Sequence, residues 1–384
     1  MVQTRLLHWR PSAQANLALL RNRNFRFLAA SEMFWHIGNQ FYLIALPWLV
    51  LQLTGDTLTL GQVLLFSGIP RVLLMPVGGA LCDRLSPRAL LLATNAGRAA
   101  LLGVLAWCVL AGSVTLEGLC AACFVYGLLE AFLYPARGAV VPLLAPAAQR
   151  QQANALAQAV EKLAGLAGPL LAGLLIALSG GTAPTAEHVH VEGAGVALAA
   201  VAGATLISVI LLAGTTTQPR LHQSRPAEPA PALSASIQQG LVYLWRHSTL
   251  RTLALVVAAI NLFTTGPLYV GLPLLAQTRL AEGAAALGVL TAALNGGALL
   301  GAALAGLLPR PAPRRMGQVL VAALALCGAG LALLAGTSST LAGALLVLAI
   351  GAAVNYVNVT TVTWMQDCTP GALMGRIMGL VTMR

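Results

Sequence analysis

The chain has 384 residues, of which 58% are hydrophobic and 9% charged, with a net charge of +11. Together with a mean hydropathy of +0.81, this excludes a soluble globular domain, and the recurrence of apolar runs of about 20 residues excludes a membrane β-barrel, whose strands alternate over about 10. Nucleic-acid binding is excluded as well, because the basic excess sits in short loops on one side of a membrane.

The N-terminus holds Arg5, Arg10, Arg21, Arg23 and Arg26 among polar residues and lacks the apolar core of a signal peptide, so it reads as a cytoplasmic lead-in to the first helix. Apolar runs then predict spanning helices near 25–52, 59–82, 89–111, 116–142, 151–178, 194–214, 251–277, 284–308, 316–336 and 340–364. With the N-terminus inside, the inner loops carry Arg84, Arg88, Arg150, Arg220, Arg225, Arg246, Arg251, Arg310, Arg314, Arg315 and Arg376. The outer loops carry Asp56, Glu117, Glu187, Glu192 and Glu282 with one base, Arg279. Between spans six and seven, a Pro-, Gln- and Ser-rich stretch, 215–235, reads as a flexible linker. It leads into a short amphipathic helix, 237–247, with Leu241, Leu244 and Trp245 on one face.

The two halves repeat. Arg84 and Arg310, Arg88 and Arg314, Pro47 and Pro273, and Arg150 and Arg376 are each separated by 226 residues, which predicts tandem six-helix units about an axis along the membrane normal. The expected architecture is an all-α polytopic membrane protein of two six-helix pseudo-repeats: an N-terminal bundle at 1–214, a cytoplasmic linker at 215–250 and a C-terminal bundle at 251–384. By the same offset, the C-terminal half is expected to stop just inside an eleventh helix.

The turn after the second span holds Gly79-x-x-x-Asp83-Arg84-x-Ser86-Pro87-Arg88. With the two-half plan and the basic linker, it resembles the loop signature Gly-x-x-x-Asp-Arg-x-Gly-Arg-Arg/Lys of the major facilitator superfamily, Ser86 and Pro87 replacing the usual Gly and Arg. Tyr134-Pro135-Ala136-Arg137-Gly138, Gly168-Pro169-x-x-x-Gly173, and Thr369-Pro370 with Gly375-Arg376 resemble the drug- and siderophore-exporting branch, with its macrolide-efflux and enterobactin-exporter relatives. The resemblance implies the major facilitator fold and an efflux antiporter, multidrug or siderophore, in a bacterial inner membrane. Its partners would be a small-molecule substrate, protons and the bilayer, with a monomer as the assembly.

The same resemblance implies a conformational latch at Gly79, Asp83, Arg84 and Arg88, the alternative being a turn that only sets topology. It also implies antiport for the Gly/Pro helix of Gly165, Gly168, Pro169 and Gly173, the alternative being small-residue packing. Ionisable groups inside spans are functional candidates in their own right. Glu32 and His36 share a helical face with Asn39 or Gln40 and could carry a proton. Glu130, in mid-span with Tyr126, Tyr134 and Arg137 on its face, is the leading proton candidate, and its alternative is an ion pair with Arg71 or Arg98. Glu161 and Lys162 offer mutual neutralisation, a latch near the cytoplasmic third of the span, or a transport role with Glu161 as a proton carrier. Asn39, Gln40 and Tyr126 in the first half, Asn261, Thr265 and Tyr269 in span seven, and Asn355, Asn358 and Trp364 in span ten are candidates to line a path for an amphipathic substrate, or to join helices.

No nucleotide-binding loop, nucleophile elbow or metal cluster is present in the sequence, so neither enzymatic activity nor a cofactor is expected. Six cysteines lie almost entirely within apolar runs and read as packing residues.

Overall fold

In this computed structural model the described residues are 23–144, 150–179, 192–215, 242, 245–308 and 313–368. Ten of the helices are α1 (Arg23–Thr54), α2 (Thr57–Arg84), α3 (Pro87–Leu110), α4 (Leu116–Leu144), α5 (Arg150–Leu178), α6 (Glu192–Ala213), α7 (Ser248–Ile260), α8 (Gly266–Thr278), α9 (Ala284–Leu307) and α10 (Pro313–Ala335). The last is α11 (Thr340–Cys368). Nine helical segments among the described residues are long and apolar enough to cross a membrane. The 32 residues of α1 extend about 48 Å at 1.5 Å per residue, but Glu32, His36, Asn39 and Gln40 keep it out of that apolar set. A helix so polar that is still buried from Ile44 to Leu51 belongs to the interior of the bundle.

Local chemistry places the breaks. Asp56 caps α2, accepting from the amides of Leu58 and Thr59 at 3.0 Å each, and Gly55 turns the chain there at φ 63°. Ser86 caps α3 by accepting from the Ala89 amide at 3.2 Å, and Pro87 begins the helix, where a missing N–H costs nothing. The charged joint expected between spans two and three is therefore shorter than the sequence suggests. Helix α2 runs through Asp83 to Arg84, leaving Leu85 and Ser86 between the helices. Pro87 and Pro313 open α3 and α10 at the 226-residue offset, as the repeat predicts.

Span seven is expected to be one regular helix, but α7 and α8 are joined by a π-helical turn at Asn261–Thr265. The reason is Gly266-Pro267: the proline lacks a donor and its ring crowds the carbonyl four residues earlier, so the ladder widens by a residue.

Helix α2 packs on α4, α3 on α4 and α6, and α1 on α5 and α6; in the second half α9 packs on α11 and α11 on α10. Glycines set the closest approaches. A Cβ on Gly78 or Gly127 would strike the backbone of Ala131 or Ser67 between α2 and α4, and one on Gly297 or Gly301 would strike Leu348 or Ala352 between α9 and α11. The repeat-related pairs are thus held in the same way. The seam between the halves is α5 against α9, with α1 against α8. Leu65, Phe66, Ile69 and Leu73 on α2 and Ile210 on α6 stay exposed, as suits a face in lipid.

The amphipathic helix read at 237–247 has only Val242, Trp245, Arg246 and His247 among the described residues, and the expected eleventh helix lies outside them.

Candidate functional site

A polar cluster lies within the first-half bundle, built by α1, α2, α3 and α4. On α4, Glu130 is 5% exposed and accepts from Arg71 Nη1 of α2 at 3.2 Å, while Arg98 Nη2 of α3 stands 3.8 Å from its other oxygen. One carboxylate thus joins three helices. Both partners named as the alternative for Glu130 are present, so the leading proton candidate is ion-paired in this conformation.

Arg98, 1% exposed, also donates to the Tyr126 hydroxyl, and its guanidinium lies over the rings of Tyr126, at 4.6 Å, and Trp35, at 5.2 Å. Tyr126 in turn donates to Asn39 Oδ1 at 3.4 Å and stacks on Tyr42 with centroids 4.0 Å apart. Two turns along α4, Arg137 pairs with Glu32 of α1, meets His36 Nε2 at 3.0 Å and sits 3.5 Å over the Trp35 ring. His36 Nε2 is 3.9 Å from Glu32 Oε2. Trp35 is therefore wedged between two arginines that come from different helices, a contact worth about 0.5–2 kcal/mol for each cation. The shared faces on α1 and α4 expected from the sequence are real, and the structure turns them toward each other.

Three further residues of the site, Trp35, Tyr42 and Asn295, are not singled out by the sequence. A signal for the first two exists: Trp35 lies three residues past Glu32, and Tyr42 three past Asn39, on the polar face of α1.

The Gly/Pro helix acts by close approach. A Cβ on Gly168 would lie 2.6 Å from that of Gln40, one on Gly165 would lie 3.3 Å from Asn295 Oδ1, and one on Gly173 would lie 3.0 Å from Gly288 Cα. The carbonyl of Pro169 faces Gly288 across the same seam, 2.5 Å from where a Cβ there would sit. Gly165, Gly168, Pro169 and Gly173 thus let α5 pack closely on α1 and α9. Gln40, expected to line a substrate path, packs on that glycine surface.

Glu161 and Lys162 pair with each other at 3.1 Å, each nearly half exposed, and do not enter the buried cluster. In the signature stretch, Gly79, Asp83 and Arg84 lie on the last turns of α2, and their side chains are outside the described residues. Arg88 donates to the Ala213 carbonyl at 2.8 Å and to Thr215 Oγ1 at 3.1 Å, so it holds the C-terminal end of α6 in its own half.

In the second half several expected lining residues join helices. Asn355 donates to the Ala298 carbonyl between α11 and α9, at 2.5 Å. Trp364 packs on the cluster of Ile260, Met316, Leu320 and Val357 that joins α7, α10 and α11. Asn358 and Thr265 are half-buried and Tyr269 is exposed, while the side chain of Asn261 lies outside the described residues. A further tie across the halves, which the sequence does not reveal, runs from Gln277 Nε2 of α8 to the Trp48 carbonyl of α1, at 3.3 Å.

The sequence matches the Major Facilitator Superfamily over residues 28–383. An uncharacterized MFS-type transporter of Bacillus subtilis (strain 168), YfiS, is 26% identical over 247 residues, covering 64% of this chain and 55% of that protein, so the match spans about half the relative's length. Among solved structures, a variant of the nucleoside transporter NupG superposes with a TM-score of 0.70 at 16% identity, covering 94% of this chain and 87% of that one. A bacterial homologue of the human lysosomal transporter Spinster, inward-facing and occupied, gives 0.67 at 17% identity, covering 94% and 77%. A D-xylose–proton symporter gives 0.66 at 16%, covering 94% and 86%. At these identities the likeness is one of fold.

Proposed function

The chain belongs to the Major Facilitator Superfamily, and from that premise we propose that this transporter exports a hydrophobic or amphipathic small molecule, a drug or a siderophore, in exchange for protons. The single observation behind proton coupling is the Glu32–Arg137–His36 group. An acid and an imidazole share one arginine inside the bundle, so a proton arriving at Glu32 would remove the charge pair between Arg137 and α1, leaving the contacts to His36 and Trp35, and loosen α1 from α4. Glu130 is less suited to that task, since neutralising it would leave Arg71 and Arg98 both uncompensated in a medium of low dielectric.

In this reading the chain divides into bundles at 1–214 and 251–384 around a cytoplasmic linker, with the N-terminus inside a bacterial inner membrane. Alternating access is a rocking of the two about the α5–α9 seam. Asp83 and Arg84, at the end of α2, serve with Gly79 as a latch. Because Arg88 grips the end of α6, movement of that joint would carry α6 with it.

The test is efflux from inverted vesicles bearing an imposed proton gradient, across a panel of macrolides, dyes and siderophores in a host lacking its own pumps. Gradient-dependent accumulation of at least one compound is expected. Accumulation that ignores the gradient would reassign the protein to uncoupled movement of a lipid or metabolite, and movement with the proton gradient would make it a symporter.

A further inference from the structure

The buried charges of the first half do not balance. Among the described residues the cluster holds Arg71, Arg98 and Arg137 against Glu32 and Glu130. Glu32 answers Arg137, which leaves Glu130 alone to answer two guanidinium groups. An uncompensated cation inside a membrane bundle is expensive, and such groups mark the paths of substrates. The donors are unbalanced too. Arg98 Nε and Nη1 and Arg71 Nε are buried without a hydrogen-bond partner, although a guanidinium presents five N–H groups and matches an oxyanion with two of them at once.

The two arginines differ in access. Arg98 is sealed at 1% exposure, whereas Arg71 is 33% exposed. That opening lies away from the exposed apolar face of α2. At about 100° per residue, Leu65, Ile69 and Leu73, which are 59%, 52% and 69% exposed, lie on the side of α2 opposite Arg71. The exposed part of Arg71 therefore lies on the opposite side of α2 from that apolar face.

We propose that Arg71 is an oxyanion subsite: the carboxylate, phosphate or phenolate of a bound molecule pairs with Arg71 while Glu130 stays with Arg98. The exchange leaves two cations facing two anions and removes the excess charge. An aromatic body on the same molecule finds Tyr134, one turn past Glu130 on α4 and only half-buried. The subsite rests on the transport reading only in taking that molecule to be the cargo, which is then an amphipathic acid.

The experiment uses the full chain in phosphatidylcholine nanodiscs with two probes, 1-pyrenebutyrate and its methyl ester, read by energy transfer from tryptophan after subtraction of empty discs. Wild-type protein is expected to bind the acid about 10-fold more tightly than the ester, the scale of one charge-assisted pair. Arg71→Gln should erase that preference and leave ester binding in place, and Arg71→Lys should keep part of it. Glu130→Gln removes the competing carboxylate, so the acid, and not the ester, should raise its melting temperature. That readout serves even where Arg71→Gln fails to fold.

Equal affinity of acid and ester in the wild type, or a full preference surviving in Arg71→Gln, would overturn the subsite. Adding phosphatidic acid to the discs separates the sources of the oxyanion: loss of acid binding identifies a lipid headgroup, and unchanged binding identifies a free molecule. If no compound leaves inverted vesicles under a proton gradient yet the acid preference holds, the exporter reading fails and the subsite stands. Efflux without any acid preference removes the subsite alone.

Discussion

Arg71 on α2 and Glu130 on α4 lie 3.2 Å apart, 59 residues from each other in sequence, and the carboxylate that joins them also faces Arg98 on α3. Breaking such a pair by removing one partner costs about 3–5 kcal/mol, because the remaining charge is left buried. Glu130→Gln should therefore lower the melting temperature in detergent sharply. The double variant Arg71→Gln with Glu130→Gln should recover part of the loss, since one cation then leaves with the anion. A single variant as stable as wild type, measured by fluorescence-detected gel filtration after heating, would mean that Glu130 does not hold the three helices together.

Much of the fold is legible in the sequence because a bilayer admits few solutions: long apolar runs must be helices, and Ser86-Pro87 has the chemistry of a helix start. The site is less legible. Spacing shows that Glu32 and His36 share a face of α1 and that Glu130 and Arg137 stand two turns apart on α4. It does not give the rotation of either helix, and only that rotation makes Glu32 meet Arg137 and Glu130 meet Arg71. The place of Trp35 on the polar face of α1 is legible, but its role is not, because that depends on Arg98 and Arg137 arriving from two other helices. The π turn departs from the single regular helix expected for span seven, although Gly266-Pro267 inside an apolar run is a signal for a broken ladder.

If Glu32 carries the exchanged proton, Glu32→Gln should abolish gradient-driven efflux but preserve substrate counterflow, which needs alternating access and no net proton movement. The neutral side chain also loses its charge pair with Arg137, so expression should be checked first by gel filtration. Normal gradient-driven efflux in Glu32→Gln would remove Glu32 as the carrier. Loss of counterflow as well would make it a structural tie between α1 and α4.

The α5–α9 seam should tolerate no added bulk. A Cβ on Gly173 would meet the Ala284 carbonyl oxygen at 2.5 Å and the Gly288 amide nitrogen at 3.1 Å, both backbone atoms that cannot swing away. Gly173→Ala is expected to cost about 1–3 kcal/mol of strain and to slow counterflow, since the two halves meet there. A Cβ on Gly203 of α6 would meet no atom within 4 Å, so Gly203→Ala should be neutral or gain about 0.5–1 kcal/mol from helix propensity. Equal effects of the two changes on melting and counterflow would show that the seam is looser than its geometry.

Asp56 tests a helix cap that titrates. It is fully exposed, and its carboxylate accepts from the Leu58 and Thr59 amides and from Thr59 Oγ1 at 2.7 Å. The Thr59 hydroxyl first, then the two amides, hold its pKa below the ordinary Asp value. A carboxyl depressed by folding stabilises the native state above its unfolded pKa, and that contribution fades as pH falls through the lower folded value. Asp56→Ala should accordingly melt slightly earlier than wild type at neutral pH, and the gap should close below about pH 4, where the wild-type carboxyl itself becomes protonated. Asp56→Asn keeps an acceptor without a charge, so it should retain much of the cap at every pH. Paired melting curves across that range decide the matter: a gap between Asp56→Ala and wild type that persists undiminished into acid would show that the charge on Asp56 contributes nothing to holding the start of α2.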